Sequence, residues 1–194
     1  MVLAGFALVG ALAILALRAN PLHIQRLRLR GEVLMLALFV VQAVARGRLL
    51  YAVVPRLKWD PVLPWTLATV ALLALAVANF MQRGMPVVAA GLVANLVAVV
   101  ANGGMPISGA VLNAPGRLSP SSLTDPFYVL VGSDTRLAVL GDVIGAPSLA
   151  LRSVALVLSV GDVCMLAGVS ILLLSASMAP EYGERGCARD AAPR

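Results

Sequence analysis

The sequence predicts an all-α membrane protein, a bundle of about five transmembrane helices with a long, partly interfacial or re-entrant loop before the last helix. Three observations predict it. Sixty per cent of the 194 residues are apolar and 12% are charged, with a mean hydropathy of +0.94, whereas about a quarter of a soluble domain is charged. The apolar residues gather into five runs, several near the ~20 residues a spanning helix needs. The arginines, fourteen of the fifteen basic residues, flank those runs. No folded sphere of this length hides so much apolar surface from water, so part of the solvent must be lipid.

Run one covers residues 2–17. It lacks a basic leader, and Ala16-Leu17-Arg18-Ala19 is a poor cleavage site, so it reads as an uncleaved anchor. Pro21 stops it by barring the helical state to the residue before it. Residues 21–30 interleave apolar and polar side chains and carry His23, Arg26, Arg28 and Arg30. That pattern suits a short interfacial helix or a linker lying on headgroups, with His23 solvated or facing them.

Run two starts near Glu32 and is bounded by Arg46 and Arg48, although the helix extends towards residue 52 if these arginines snorkel. A loop follows with Pro55, Pro61 and Pro64, and Trp59 and Trp65 read as interface anchors. Gln82-Arg83-Gly84 is too short to be anything but a tight turn, which forces runs three and four into an antiparallel hairpin. Run four ends in Asn102-Gly103-Gly104-Met105-Pro106, a left-handed closure followed by a proline stop. The five spans are expected at about 2–18, 32–52, 64–82, 85–101 and 162–178, in one domain covering residues 1–178, with 179–194 a charged, disordered tail.

Between runs four and five, residues 127–131 and 137–144 are apolar but too short to span. Two readings compete for the last run. Either one long helix buries Asp162 near the bilayer midplane, or Asp162 caps a helix running to about residue 178, with 153–160 re-entrant or interfacial. The second avoids an unpaired charge in hydrocarbon and is preferred.

Orientation is finely balanced. With the N-terminus outside, the inner segments hold eight Lys/Arg and the outer loops seven. The dense arginines of residues 18–30 favour N-terminus outside and C-terminus inside, in a cell membrane.

Chemical signatures are sparse. The sequence has no phosphate-binding glycine loop, no His-x-x-x-His pair and no Gly-x-Ser-x-Gly elbow. Cys164 and Cys187 with one histidine cannot build a usual zinc site, and no metal or cofactor is assigned. A pI near 10.4 does not indicate nucleic acid here, because no basic stripe interleaves with aromatics. The expected surroundings are the lipid bilayer and, for an accessory subunit, a protein partner within it.

The informative polar residues are Asn95, Asn102, Ser108, Asp142 and Asp162. Asn95 and Asn102 are seven apart on one helix face, and Gly-Asp-Val occurs at 141–143 and again at 161–163. Because run four ends where the loop and the last run begin, Asn102, Ser108, Asp142 and Asp162 can converge at the bundle mouth. One reading is a site for a cation, headgroup or polar substrate, with Asp142 and Asp162 as acceptors and no catalytic residue assigned. The other is two helix caps and an asparagine-bonded loop, with Arg136 and Arg152 neutralising the acids.

The elements Leu27-Arg28-Leu29-Arg30-Gly31, Ala101-Asn102-Gly103-Gly104-Met105-Pro106, Gly141-Asp142-Val143 and Ser159-Val160-Gly161-Asp162-Val163 are similar to those of an uncharacterised bacterial multi-pass membrane family, domain of unknown function 5317. The resemblance spans most of residues 1–178. It implies a bacterial plasma-membrane protein and supplies no activity. Three functions are therefore carried forward in order: a non-enzymatic accessory or scaffold subunit, a small transporter or polar-ligand-binding protein, and a membrane enzyme acting on a lipid or isoprenoid.

Overall fold

The computed structural model describes residues 28–46, 60–112, 126–146 and 156–177. The first run, His23, Trp59, Cys187 and the tail lie outside them. The described chain is mostly helical. Four long helices, α1 (Glu32–Arg46), α2 (Val62–Ala78), α3 (Met85–Asn102) and α5 (Val160–Ser177), pack side by side in that order, and the largest interface joins α3 to α5. A short helix α4 (Gly109–Leu112), four three-residue strands and a 3-10 turn (Ala138–Leu140) fill the segment before α5.

Several helix ends differ from the sequence expectation, each for a local reason. The third run ends at Ala78 rather than near 82 because Asn79 closes it. The Asn79 side-chain amide donates to Leu75 O at 2.8 Å and to Arg30 O at 3.0 Å, while its Oδ1 accepts from Arg30 N–H at 2.8 Å. Residues 79–84 then turn the chain, with Gly84 at φ +92°, and α3 returns antiparallel to α2. The end of α3 follows the left-handed closure that its sequence implies. Gly103 takes φ +67°, and Gly104 N–H donates to Val99 O at 3.1 Å.

The last helix corrects both readings of its start. Neither a single helix from residue 153 nor an N-cap at Asp162 is observed. The cap is Ser159, and Asp162 is the third residue of α5. Residues 156–158, expected to be re-entrant or interfacial, form strand β4 (Leu156–Leu158).

That strand belongs to a thin layer over the end of the bundle where α2 begins, α3 ends and α5 begins. Strand β1 (Met105–Ile107) pairs in parallel with β2 (Tyr128–Leu130), and β3 (Ile144–Ala146) pairs antiparallel with β4. A bridge between Ile107 and Asp142 joins the two pairs. The short apolar pieces of the loop are thus spent on strands and a 3-10 turn.

Two apolar clusters hold this arrangement. One, between α2, α3 and α5, contains Leu72, Ala76, Val88, Leu92 and Leu172, with Met35, Leu38 and Phe39 of α1 at its edge. The other joins helices to strands through Trp65, Val99, Met105 and Phe127. Trp65, read from sequence as an interface anchor, is 5% exposed, its ring tilted 59° to Phe127 at a centroid distance of 5.3 Å. The strand layer covers it.

Candidate functional site

The polar residues singled out in the sequence stand at the strand-layer end, and α3 and α5 position the main group. Four glycines let these helices touch backbone to backbone: Gly84 faces Gly168, and Gly91 faces Gly161. A Cβ on Gly91 would lie 2.5 Å from Gly161 O, and one on Gly161 would run into Asn95 Oδ1 and stand 2.6 Å from Gly91 O. Both pairs are spaced by seven residues, two helical turns, so the same faces meet twice. The close approach carries Asn95 against the first turn of α5.

There a closed ring of hydrogen bonds forms. Ser159 Oγ donates to Asn95 Oδ1 at 2.8 Å, and Asn95 Nδ2 donates to Asp162 Oδ1 at 2.9 Å. Ser159 N–H donates to Asp162 Oδ2 at 3.2 Å, and Asp162 N–H donates to Ser159 Oγ at 2.9 Å. The last two bonds are a capping box, reciprocal between the N-cap residue and the third helical residue. Asn95 locks the box to α3. Both carboxylate oxygens of Asp162 accept an N–H, and the charge sits at the positive end of the helix dipole. The Ser159 hydroxyl gives its proton to an amide oxygen, so the ring contains no base that activates it as a nucleophile.

The other three residues are bonded elsewhere. Asn102 clamps the backbone of Arg136: its Oδ1 accepts from Arg136 N–H, and its Nδ2 donates to Arg136 O, both at 2.8 Å. The same Nδ2 also donates to Ala98 O at 2.8 Å. Asp142 is buried in the strand layer, where its N–H donates to Pro106 O at 2.7 Å and its carbonyl accepts from Ser108 N–H at 3.3 Å. Ser108 and Asp142 therefore meet through backbone. Among the described residues no three of His, Cys, Asp and Glu are grouped to hold a metal ion.

Ser159, the glycines at 84, 161 and 168, and Asn79 were not among the candidate residues, whereas the asparagine-bonded loop was one of the two readings. Ser159 was legible as the first residue of Ser-x-x-Asp, the capping-box spacing. The glycines were legible as two pairs seven apart. The clamp is made twice, by Asn79 on Arg30 and by Asn102 on Arg136, and each asparagine also bonds the carbonyl four residues before it. Val-Ala-Asn occurs at 77–79, 93–95 and 100–102, and only the first and last, at helix ends, make the clamp, so the tripeptide alone does not signal it. Nothing in the sequence says which backbone each asparagine will meet.

Residues 26–174, which span every one of these contacts, match the Family of unknown function (DUF5317). The chain belongs to this family. The match takes in the capping box, both clamps and all four facing glycines. No curated protein and no solved structure matches the chain.

Proposed function

We propose that this DUF5317 protein is a multi-pass integral protein of the bacterial plasma membrane that serves as a non-enzymatic accessory or scaffold subunit. The observation that carries the reading is the outward face of the long helices. Val33, Leu36 and Val40 on α1, Leu63, Leu67 and Val70 on α2, Val93, Val97 and Val100 on α3, and Val163, Ile171 and Leu174 on α5 are all large, apolar and exposed. A helix apolar on its inner and outer faces alike suits lipid on one side and packed protein on the other. Among the described helices α3 is long and apolar enough to cross a membrane alone. The proposed topology has five spans, the first supplied by residues 2–18, with the N-terminus outside and the C-terminus inside.

The accessory role is supported by the ring around Asp162. Each carboxylate oxygen accepts an N–H, Oδ1 from Asn95 and Oδ2 from Ser159, an arrangement that a purely structural role accounts for in full. Their use is to fix the start of α5 against α3 and beneath the strand layer.

Alkaline carbonate extraction tests the membrane half: the full chain stays in the pellet, and release into the supernatant sinks the reading. Asp162→Cys in a Cys164→Ala, Cys187→Ala background tests the other half. A membrane-impermeant maleimide leaves position 162 unmodified in intact cells and in inverted vesicles. Rapid modification from either side, in a protein that still accumulates, reveals a water path to the residue and favours a polar-ligand site instead.

A further inference from the structure

Four large apolar side chains are exposed on the strand layer itself: Leu130 at 52%, Leu137 at 49%, Val139 at 65% and Ile144 at 38%. They lie on two strand pairs linked by one bridge and on the 3-10 turn beside it. Leu130 is in register with Ile107, Ile107 bridges Asp142, and Ile144 follows two residues later. Leu137 and Val139 lie at the 3-10 turn leading into Asp142.

Leu137 is also the one described non-glycine residue with positive φ, at +50°. The left-handed region disfavours leucine, whereas asparagine visits it more readily. The Asn102 clamp on Arg136 holds the backbone there. A strained leucine with half its surface exposed contributes little to the core, and strain that the surroundings enforce points to use.

We propose that this edge of the strand layer is a membrane anchor, inserted at the boundary between headgroups and acyl chains of an anionic leaflet. The proposal rests on the membrane reading above and adds to it the seat of the layer. Continuity argues for lipid as the occupant. Exposed Leu63, Val100 and Val163 stand on the turns of α2, α3 and α5 nearest the layer, so apolar surface reaches the end of the bundle that the layer covers. Charge argues the same way. By sequence, the stretches that follow α1 and α3, residues 46–61 and 102–152, hold seven Lys/Arg against four Asp, and Arg136 is exposed beside Leu137. Apolar side chains flanked by cations are the composition that interfacial anchors use, and each cation near an anionic surface adds to the attraction.

The test places a fluorophore on Val139→Cys or, as reference, on Val93→Cys, in the Cys164→Ala, Cys187→Ala full chain. The chain is reconstituted in bilayers of phosphatidylglycerol and phosphatidylethanolamine. Lipid brominated near the headgroup should lower the Val139 signal about twofold, as expected for a side chain buried ~5–10 Å into the boundary, while aqueous iodide has little effect. Iodide quenching without lipid quenching overturns the anchor by showing an edge in water. Quenching by neither overturns it by showing a protein cover. If the Val93 label, midway along α3, escapes quenching by lipid brominated deep in the acyl chain, the membrane reading itself fails, so the two failures are distinguishable. Leu137→Asn separates insertion from folding because asparagine suits the left-handed backbone. It should leave the melting temperature unchanged and raise iodide access at Val139, and unaltered lipid quenching there overturns the part assigned to Leu137.

Discussion

Ser159 and Asp162 exchange two hydrogen bonds across the first turn of α5, and each half can be removed separately. Ser159→Ala deletes the acceptor for Asp162 N–H and the donor to Asn95, and should destabilise the protein by about 1 kcal/mol, the usual cost of losing an N-cap. Asp162→Ala should cost more, about 1–3 kcal/mol, because it leaves Ser159 N–H and Asn95 Nδ2 without their acceptor. Thermal unfolding of the solubilised protein ranks the two, and the reverse order contradicts a carboxylate used for structure. Glycine gives the complementary case. Gly161→Ala drives a methyl into Asn95 Oδ1 and Gly91 O, so about 1–3 kcal/mol is expected to be lost through overpacking. Gly109→Ala, whose added Cβ would meet nothing within 4 Å, should show no such loss.

Between elements, the asparagine clamps connect segments far apart in the chain, 49 residues for Asn79 and Arg30 and 34 for Asn102 and Arg136. Each asparagine mimics a strand edge, presenting one acceptor and one donor to a single backbone residue, and its second N–H returns to its own helix. Asn79→Ala unpins the entry to α1, and Asn102→Ala unpins the 3-10 turn. Because Asn79 closes α2 at the turn end and Asn102 closes α3 at the strand-layer end, their effects on the melting midpoint should add, as independent sites do. Strong coupling between them would mean that the hairpin of α2 and α3 transmits strain along its length. A third cross-link lies between these ends: Gln42 Nε2 donates to Thr69 Oγ1 at 2.6 Å, and Thr69 Oγ1 donates to Trp65 O at 2.8 Å. It ties α1 to α2 where both are otherwise apolar.

At the scale of the whole molecule, the outer faces of the helices decide what solvent the protein meets. Val93 lies midway along α3 and is exposed. In a bilayer Val93→Arg places a charge near the midplane, at about 2.5–3.5 kcal/mol, and should sharply reduce the protein recovered in the membrane fraction. In water the same change is close to neutral. Accumulation of Val93→Arg at the parental level would therefore count against the membrane reading while leaving the helix packing intact. The strand layer is exempt from this test, since its apolar edge is assigned to the interface rather than to the hydrocarbon.

What the sequence determined is what local chemistry dictates. Long apolar runs made α2, α3 and α5 legible, the tight turn at 82–84 made the hairpin legible, and Asn102-Gly103-Gly104 marked the end of α3, because a left-handed closure depends on a few adjacent residues. Family membership was legible for the same reason, in short contiguous motifs. The tertiary structure alone decided which groups met. A carboxylate at a helix start has the same sequence signature whether it caps or binds, and only the approach of Asn95, allowed by Gly91 and Gly161, adds a donor on Oδ1 to the local Ser159 N–H on Oδ2. Strand pairing joined Ser108 to Asp142 and set Trp65 beneath Phe127. Such contacts depend on residues some twenty to seventy positions apart, and no local pattern encodes their distance.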